Sequence, residues 1–184
     1  MPEQQHDLHG SVPDNAPIVL LLIDVINDLA FEQGKALLKH ALPMAKKIAA
    51  LKHRAKQVRI PSIYVNDNFG RWQSDFQTLV RHCLDEEVCG RPIATILQPE
   101  AEDYFVLKPK HLGFYSTTLE LLLQGLGART LILTGIAGNI CVLFTANDAY
   151  MREYRLVIPA DCVASNTARE NTSALHLEAV AKIE

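Results

Sequence analysis

Apolar residues run without interruption from Pro17 to Ile23 (PIVLLLI) and stop at Asp24. Such a run, with no polar alternation, predicts a strand buried on both faces, as in a parallel sheet. After a polar break the period changes. Leu42, Ala45, Ile48, Ala49, Leu51 and Ala55 recur at helical spacing between His40 and Gln57, which predicts an amphipathic helix. Val58 to Val65 (VRIPSIYV) predicts a second strand, although Pro61 cannot donate to a ladder. Asn66 to Arg71 (NDNFGR) has the composition of a loop. Beyond it the pattern predicts a helix over Asp75 to Cys83 and a short strand over Asp103 to Leu107. A Leu-rich helix follows over Ser116 to Gln124, ended by Gly125 and Gly127. Then come a strand over Thr130 to Leu133, a helix over Asn139 to Arg152, a strand over Arg155 to Ile158 and a last helix from Glu170.

Strands that alternate with helices need crossover connections, so the sheet is expected to be mainly parallel, with helices on both faces. No repeat, low-complexity tract or linker divides the chain. One domain is expected over residues 17–184, preceded by a polar, flexible arm over residues 1–16. Composition narrows the function. The net charge is −3 and the basic residues are scattered, whereas nucleic-acid binders show a basic face. No apolar run approaches the ~20 residues that span a bilayer. The N-terminus lacks the layout of a secretory signal, so a cytoplasmic location is expected. The four cysteines form no C-x-x-C pair. A domain of this size needs no disulfide framework, so free thiols are expected.

In open parallel sheets, ligands sit at the carboxyl ends of the strands. Three ionisable residues fall there: Asp24 after the first strand, Lys108 after the Asp103–Leu107 strand, and Cys141 just past the Thr130–Leu133 strand. Cys141 opens a predicted helix, where free N–H groups lower a thiol pKa and can hold an oxyanion. Gly135 and Gly138 before it permit close backbone approach. Taken alone, a cysteine is more often an inert packing residue. Asp24 at the end of an apolar strand needs a partner; it suits a general base, or equally a cap for the Asn27–Asp28 loop. Lys108 suits the role of counter-ion to both, or that of a solvated surface lysine.

Asn66, Asp67 and Asn68 can orient a substrate, bind a metal, or form an Asx turn. No histidine lies between His53 and His82, so the metal signal is weak and no metal or cofactor is expected. Phe69, Trp72, His111, Phe114 and Tyr115 are the candidates for substrate contact, with core or interface packing the alternative for Phe114 and Tyr115.

Three segments, LLLIDVINDLA, FVLKPKHLGFYSTTLE and LILTGIAGNICVLFTANDAYMREY, resemble the isochorismatase-like cysteine hydrolases. That family includes nicotinamidases, N-carbamoylsarcosine amidases and ureidoacrylate-type amidohydrolases. The resemblance covers roughly Pro17 to Ala164. It implies a three-layer α/β/α sandwich with a mainly parallel, Rossmann-like sheet, and a homodimer or higher homo-oligomer. It also implies a catalytic triad of Asp24, Lys108 and Cys141, and a cis peptide between Ile136 and Ala137. An oxyanion hole would then form from the Ala137 and Cys141 amides, with Ile136 beside the substrate. Leu29 stands where members often carry Phe. Gly138 stands where many carry Thr, which implies a wider pocket or a looser loop. The absence of histidine beside Asp67 departs from the zinc-using nicotinamidases.

The implied activity is thiol-dependent hydrolysis of a C–N bond in a small amide or ureide. Isochorismatase-type cleavage of a vinyl ether is an alternative that does not need the cysteine. A non-catalytic binding or scaffold protein on the same fold is another. A Rossmann-type nucleotide binder is disfavoured, because no G-x-G-x-x-G or P-loop follows a strand.

Overall fold

The computed structural model describes residues 15–70, 72–73, 75–85 and 87–180. Strand β1 (Ile18–Ile23) leads through a loop to α1 (Gly34–Gln57) and β2 (Ser62–Asp67). Two helices, α2 (Phe76–Asp85) and α3 (Arg91–Ile96), precede β3 (Tyr104–Lys108). Then follow α4 (Leu119–Leu126), β4 (Thr130–Ile136), a π-helical turn (Gly138–Val142) and α5 (Leu143–Met151). The described chain ends with β5 (Arg155–Val157), a 3-10 turn (Ala160–Cys162), β6 (Val163–Ala164) and α6 (Ala168–Val180).

The sheet order is β3-β2-β1-β4-β5, with β6 also paired to β4. Every pairing is parallel, as the helical crossovers require. Successive residues of β1 feed opposite faces. Leu20 and Leu22 pack with Leu37, Ala41, Ile48 and Ile93 of α1 and α3 on one side. Val19, Leu21 and Ile23 pack with Leu119, Leu123, Val142 and Ala146 on the other. The uninterrupted apolar run is thus a strand with a hydrophobic layer on each face, and the fold is the expected three-layer α/β sandwich.

Several boundaries differ from the sequence expectation. Helix α1 begins before His40, at Gly34, and carries Pro43 inside it. The second strand starts at Ser62, not Val58. Residues 58–60 instead close α1, with the Val58 and Ile60 N–H groups bonded to the Ala55 carbonyl and Arg59 at φ 59°. Gly125 stays within α4, and Gly127 at φ 68° ends it, the left-handed position glycine favours. Helix α3 and strand β6 are too short for periodicity to reveal. Residues 1–14 of the expected arm lie outside the described residues. Ala16, placed in that arm, is buried, and its N–H donates to the Leu126 carbonyl at 2.8 Å. The four cysteines are free thiols.

One glycine sets the spacing beneath the site. Gly135 lies opposite Ile23 in the β1–β4 pairing. Its φ is 119°, and an added Cβ would sit 2.0 Å from the Ile23 carbonyl oxygen. Gly135→Ala is therefore expected to destabilise the fold by roughly 3 kcal/mol or more, read as a lowered urea midpoint with an unchanged slope.

Candidate active site

Parallel strands put their carboxyl ends on one edge, and the register brings Asp67 of β2 beside Lys108 of β3. Asp24 follows β1 directly, at φ 52°. Aspartate tolerates this left-handed conformation better than most residues, and the chain leaves the strand there. Lys108 is 0% exposed. A lysine so buried must be paired. Its Nζ lies 2.8 Å from Asp24 Oδ2 and 3.7 Å from Asp67 Oδ2. It also donates to the Lys110 carbonyl at 3.2 Å. The second Asp24 oxygen accepts the Asp67 N–H at 2.7 Å.

Cys141 sits on the π-helical turn after β4. The Ile140 and Val142 N–H groups both bond the Ala137 carbonyl at 3.1 Å, which fixes the turn. The Ile136–Ala137 peptide is cis. The Cys141 sulfur lies 3.7 Å from Lys108 Nζ and 3.6 Å from His111 Nδ1. The structure thus brings the three strand-end groups together.

Their electrostatics differ from the sequence expectation in one respect. The start of a helix predicts a lowered thiol pKa. Instead, burial and then the Asp24 charge push Cys141 up to about 12, against the Lys108 charge and the Ala137 N–H, which favour the thiolate. Burial also raises Asp24, opposed by Lys108 and by hydrogen bonds from Cys141 and the Asp67 N–H. For Lys108, burial pulls the pKa down, but Asp24, Cys141 and Asp67 together outweigh it and the net shift is upward. At rest the sulfur therefore holds its proton and donates it to Asp24, beside a charged lysine. A carboxylate whose pKa is raised is a stronger base for that proton.

A cavity of about 230 Å³ opens on the sulfur. Asp24, Phe69, His111, Ile136, Ala137 and Cys141 line it, as the sequence proposed. So do Asn27, Phe31, Leu37, Asp67 and Ile140. A second cavity, of about 360 Å³, adjoins it and shares Phe31, Asp67 and Phe69. Asn68 lines this second space.

Other sequence candidates lie elsewhere. Asn66 is fully buried, and its Nδ2 donates to the Ile26 carbonyl at 2.7 Å; it braces the loop after β1 and lines neither cavity. Trp72 is 78% exposed and Tyr115 is exposed; neither lines these cavities. Phe114 belongs to the core, stacked on Tyr154 and under the Arg152 guanidinium. The reason is local. The Gly113 N–H donates to Thr145 Oγ1 of α5 at 3.0 Å, which draws the chain off the cavity after His111. Nor does Gly138 widen the pocket. A Cβ there would meet Val163 Cγ1 and Asn171 Oδ1 at 2.6 Å, so β6 and α6 fill the space a side chain would need. Phe31 was missed; it is the sole aromatic residue between Asp24 and Tyr64, and that was the available signal. Among the described residues, no three His, Cys, Asp or Glu side chains cluster as a metal site.

An α/β sandwich with a buried thiol, carboxylate and ammonium at its strand ends is the architecture of a known class of hydrolases. The chain belongs to the isochorismatase family: the Isochorismatase domain profile matches residues 19–182. It is 48% identical over 156 residues to the uncharacterised isochorismatase family protein YaaI of Bacillus subtilis, covering 85% of each chain. A shorter match, 48% identical over 65 residues, is to the ureidoacrylate amidohydrolase RutB of Methylorubrum extorquens; it covers 35% of this chain and 26% of that one. Among solved structures, the N-carbamoylsarcosine amidase of Thermoplasma acidophilum superposes with a TM-score of 0.69 at 25% identity, over 90% of this chain and 92% of that one.

Proposed function

We propose that this isochorismatase-family hydrolase cleaves a C–N bond of a small amide or ureide through a thioester on Cys141. One observation carries the proposal: Lys108 Nζ lies 2.8 Å from Asp24 and 3.7 Å from the Cys141 sulfur, and Asp24 and Cys141 line a cavity sized for a small molecule. The kinship with ureidoacrylate and N-carbamoylsarcosine amidohydrolases supports the bond type.

Asp24 takes the thiol proton, and the sulfur attacks the substrate carbonyl. Lys108 offsets the negative charge as it passes between sulfur and carboxylate. The Ala137 and Cys141 N–H groups receive the oxyanion, each worth roughly 3 kcal/mol by analogy with other acyl-transfer sites. Asp24 then gives its proton to the leaving nitrogen. In the second half, Asp24 accepts a proton from water as the water attacks the thioester, and returns it to the departing sulfur. Two half-reactions thus use one base.

Asp24 must be ionised to begin. Because its pKa is raised, the acid limb of kcat/KM is expected above the ordinary carboxylate value of about 3.9. An acid limb at or below that value would remove Asp24 as the base. The direct test screens neutral amides and ureides for ammonia or amine release, then quenches turnover with acid for intact-mass analysis. An acyl adduct on the Cys141 peptide is expected. Turnover with no adduct, and with no acyl hydroxamate when hydroxylamine is added to intercept the thioester, would exclude the thioester route.

A further inference from the structure

The Cys141 sulfur has one more polar neighbour than the triad uses. His111 Nδ1 lies 3.6 Å from it, as close as Lys108 Nζ at 3.7 Å. His111 belongs to the segment between β3 and α4, three residues beyond Lys108, and its ring lines the same cavity. The ring leans on Phe144 of α5, with centroids 6.4 Å apart and planes at 55°, so packing holds it beside the sulfur.

The direction of this contact follows from the other bonds. The thiol proton is directed at Asp24, whose carboxylate accepts a hydrogen bond from Cys141. That leaves sulfur lone pairs for the remaining neighbours. Lys108 Nζ and the Ala137 N–H are both donors toward the sulfur. A nitrogen facing a lone pair makes a hydrogen bond only if it carries the proton.

We propose that His111 is a fourth member of the catalytic group, donating Nδ1–H to the Cys141 sulfur and holding the thiolate as Asp24 removes its proton. The inference rests on the thiol mechanism above and adds to it a residue that the Asp–Lys–Cys pattern does not contain. No bond is made or broken at His111. It keeps its proton throughout and strengthens its hydrogen bond as charge develops on sulfur. Burial makes that charge costly here, so a donor that tightens only in the charged state favours attack.

The test needs no substrate. The rate at which iodoacetamide alkylates Cys141, read on the Cys141 peptide by mass spectrometry, follows the available thiolate across a range of pH. Among the described residues, Asp24, Lys108 and His111 are the ionisable groups nearest the sulfur, with Asp67 behind Lys108 in the same cavity, so His111→Phe, His111→Asn, Asp24→Asn and Lys108→Met are compared with the parent protein. His111→Phe keeps the ring's bulk and loses the donor; alkylation is expected to slow about tenfold. His111→Asn keeps a side-chain amide near the Nδ1 position and is expected to stay within about threefold of the parent, as rescue by a retained donor. A parent-like or faster rate in His111→Phe overturns the proposal, since the ring would then only line or shield the cavity. If Asp24→Asn and Lys108→Met change the rate while His111→Phe does not, the triad stands and this inference alone falls. If no variant changes it, both fall.

Discussion

Replacing Cys141 with alanine is expected to lower kcat by at least roughly three orders of magnitude, because members of a catalytic unit fail together. The fold should survive. Cys141 is a small buried side chain on a turn fixed by backbone bonds to the Ala137 carbonyl, so losing one sulfur costs about 1–2 kcal/mol. The Asp24–Lys108 pair at 2.8 Å remains satisfied without it. A circular-dichroism melt beside the kinetic assay separates the two effects. A folded Cys141→Ala protein that still turns over would redirect attention to chemistry independent of the thiol, such as vinyl ether cleavage on the same scaffold.

The second large effect belongs to Lys108→Met. Methionine nearly matches the volume of lysine but leaves Asp24 without its cation. Removing one partner of a buried pair costs about 3–5 kcal/mol, and kcat should fall by roughly two orders of magnitude or more. The pH dependence has a definite sign. Lys108 holds the Asp24 pKa down against burial, so its loss raises that pKa further. A carboxyl whose folded pKa exceeds its unfolded one contributes stability below the unfolded value and loses it as pH rises through the folded value. Lys108→Met should therefore be least destabilised in acid and increasingly so toward neutrality, with the acid limb of any residual activity moved upward. Denaturant midpoints across pH measure the first effect. The Asp24→Asn, Lys108→Met double variant should recover part of the lost stability, since it buries no lone charge. Equal penalties at all pH values would show that Asp24 is not the group left unpaired.

The parallel sheet was legible because β1 is buried on both faces and so apolar throughout, and the strand-end position of Asp24, Lys108 and Cys141 followed from it. Short elements were not legible. Helix α3 and strand β6 are shorter than the windows in which a period emerges. At the site, sequence proximity misled for Phe114 and Tyr115, which follow His111 in sequence; the Gly113–Thr145 bond ties the chain to α5 before them, Phe114 enters the core and Tyr115 is exposed. Asn66 faces the loop after β1 because a strand alternates its side chains, and the face that Asn66 takes is set by pairing that spacing alone does not give. The thiol pKa was misjudged for a different reason. Sequence position reports the favourable N–H dipoles, while the burial that outweighs them is a property of the closed fold.

The strand order also constrains how the site comes into being during synthesis. Strand β4 is laid beside β1 late, and the Thr134 hydroxyl bonds the Leu21 carbonyl across 113 positions of chain. A growing polypeptide that has emerged only through β3 already holds Asp24 and Lys108 but lacks β4, the neighbour of β1 on that side, and lacks Cys141. Contacts this distant in sequence form slowly, and until β4 docks the carboxylate and ammonium remain open to water. Cys141 follows β4 directly, so a chain that has emerged only through β3 cannot place a thiol beside Asp24 and Lys108.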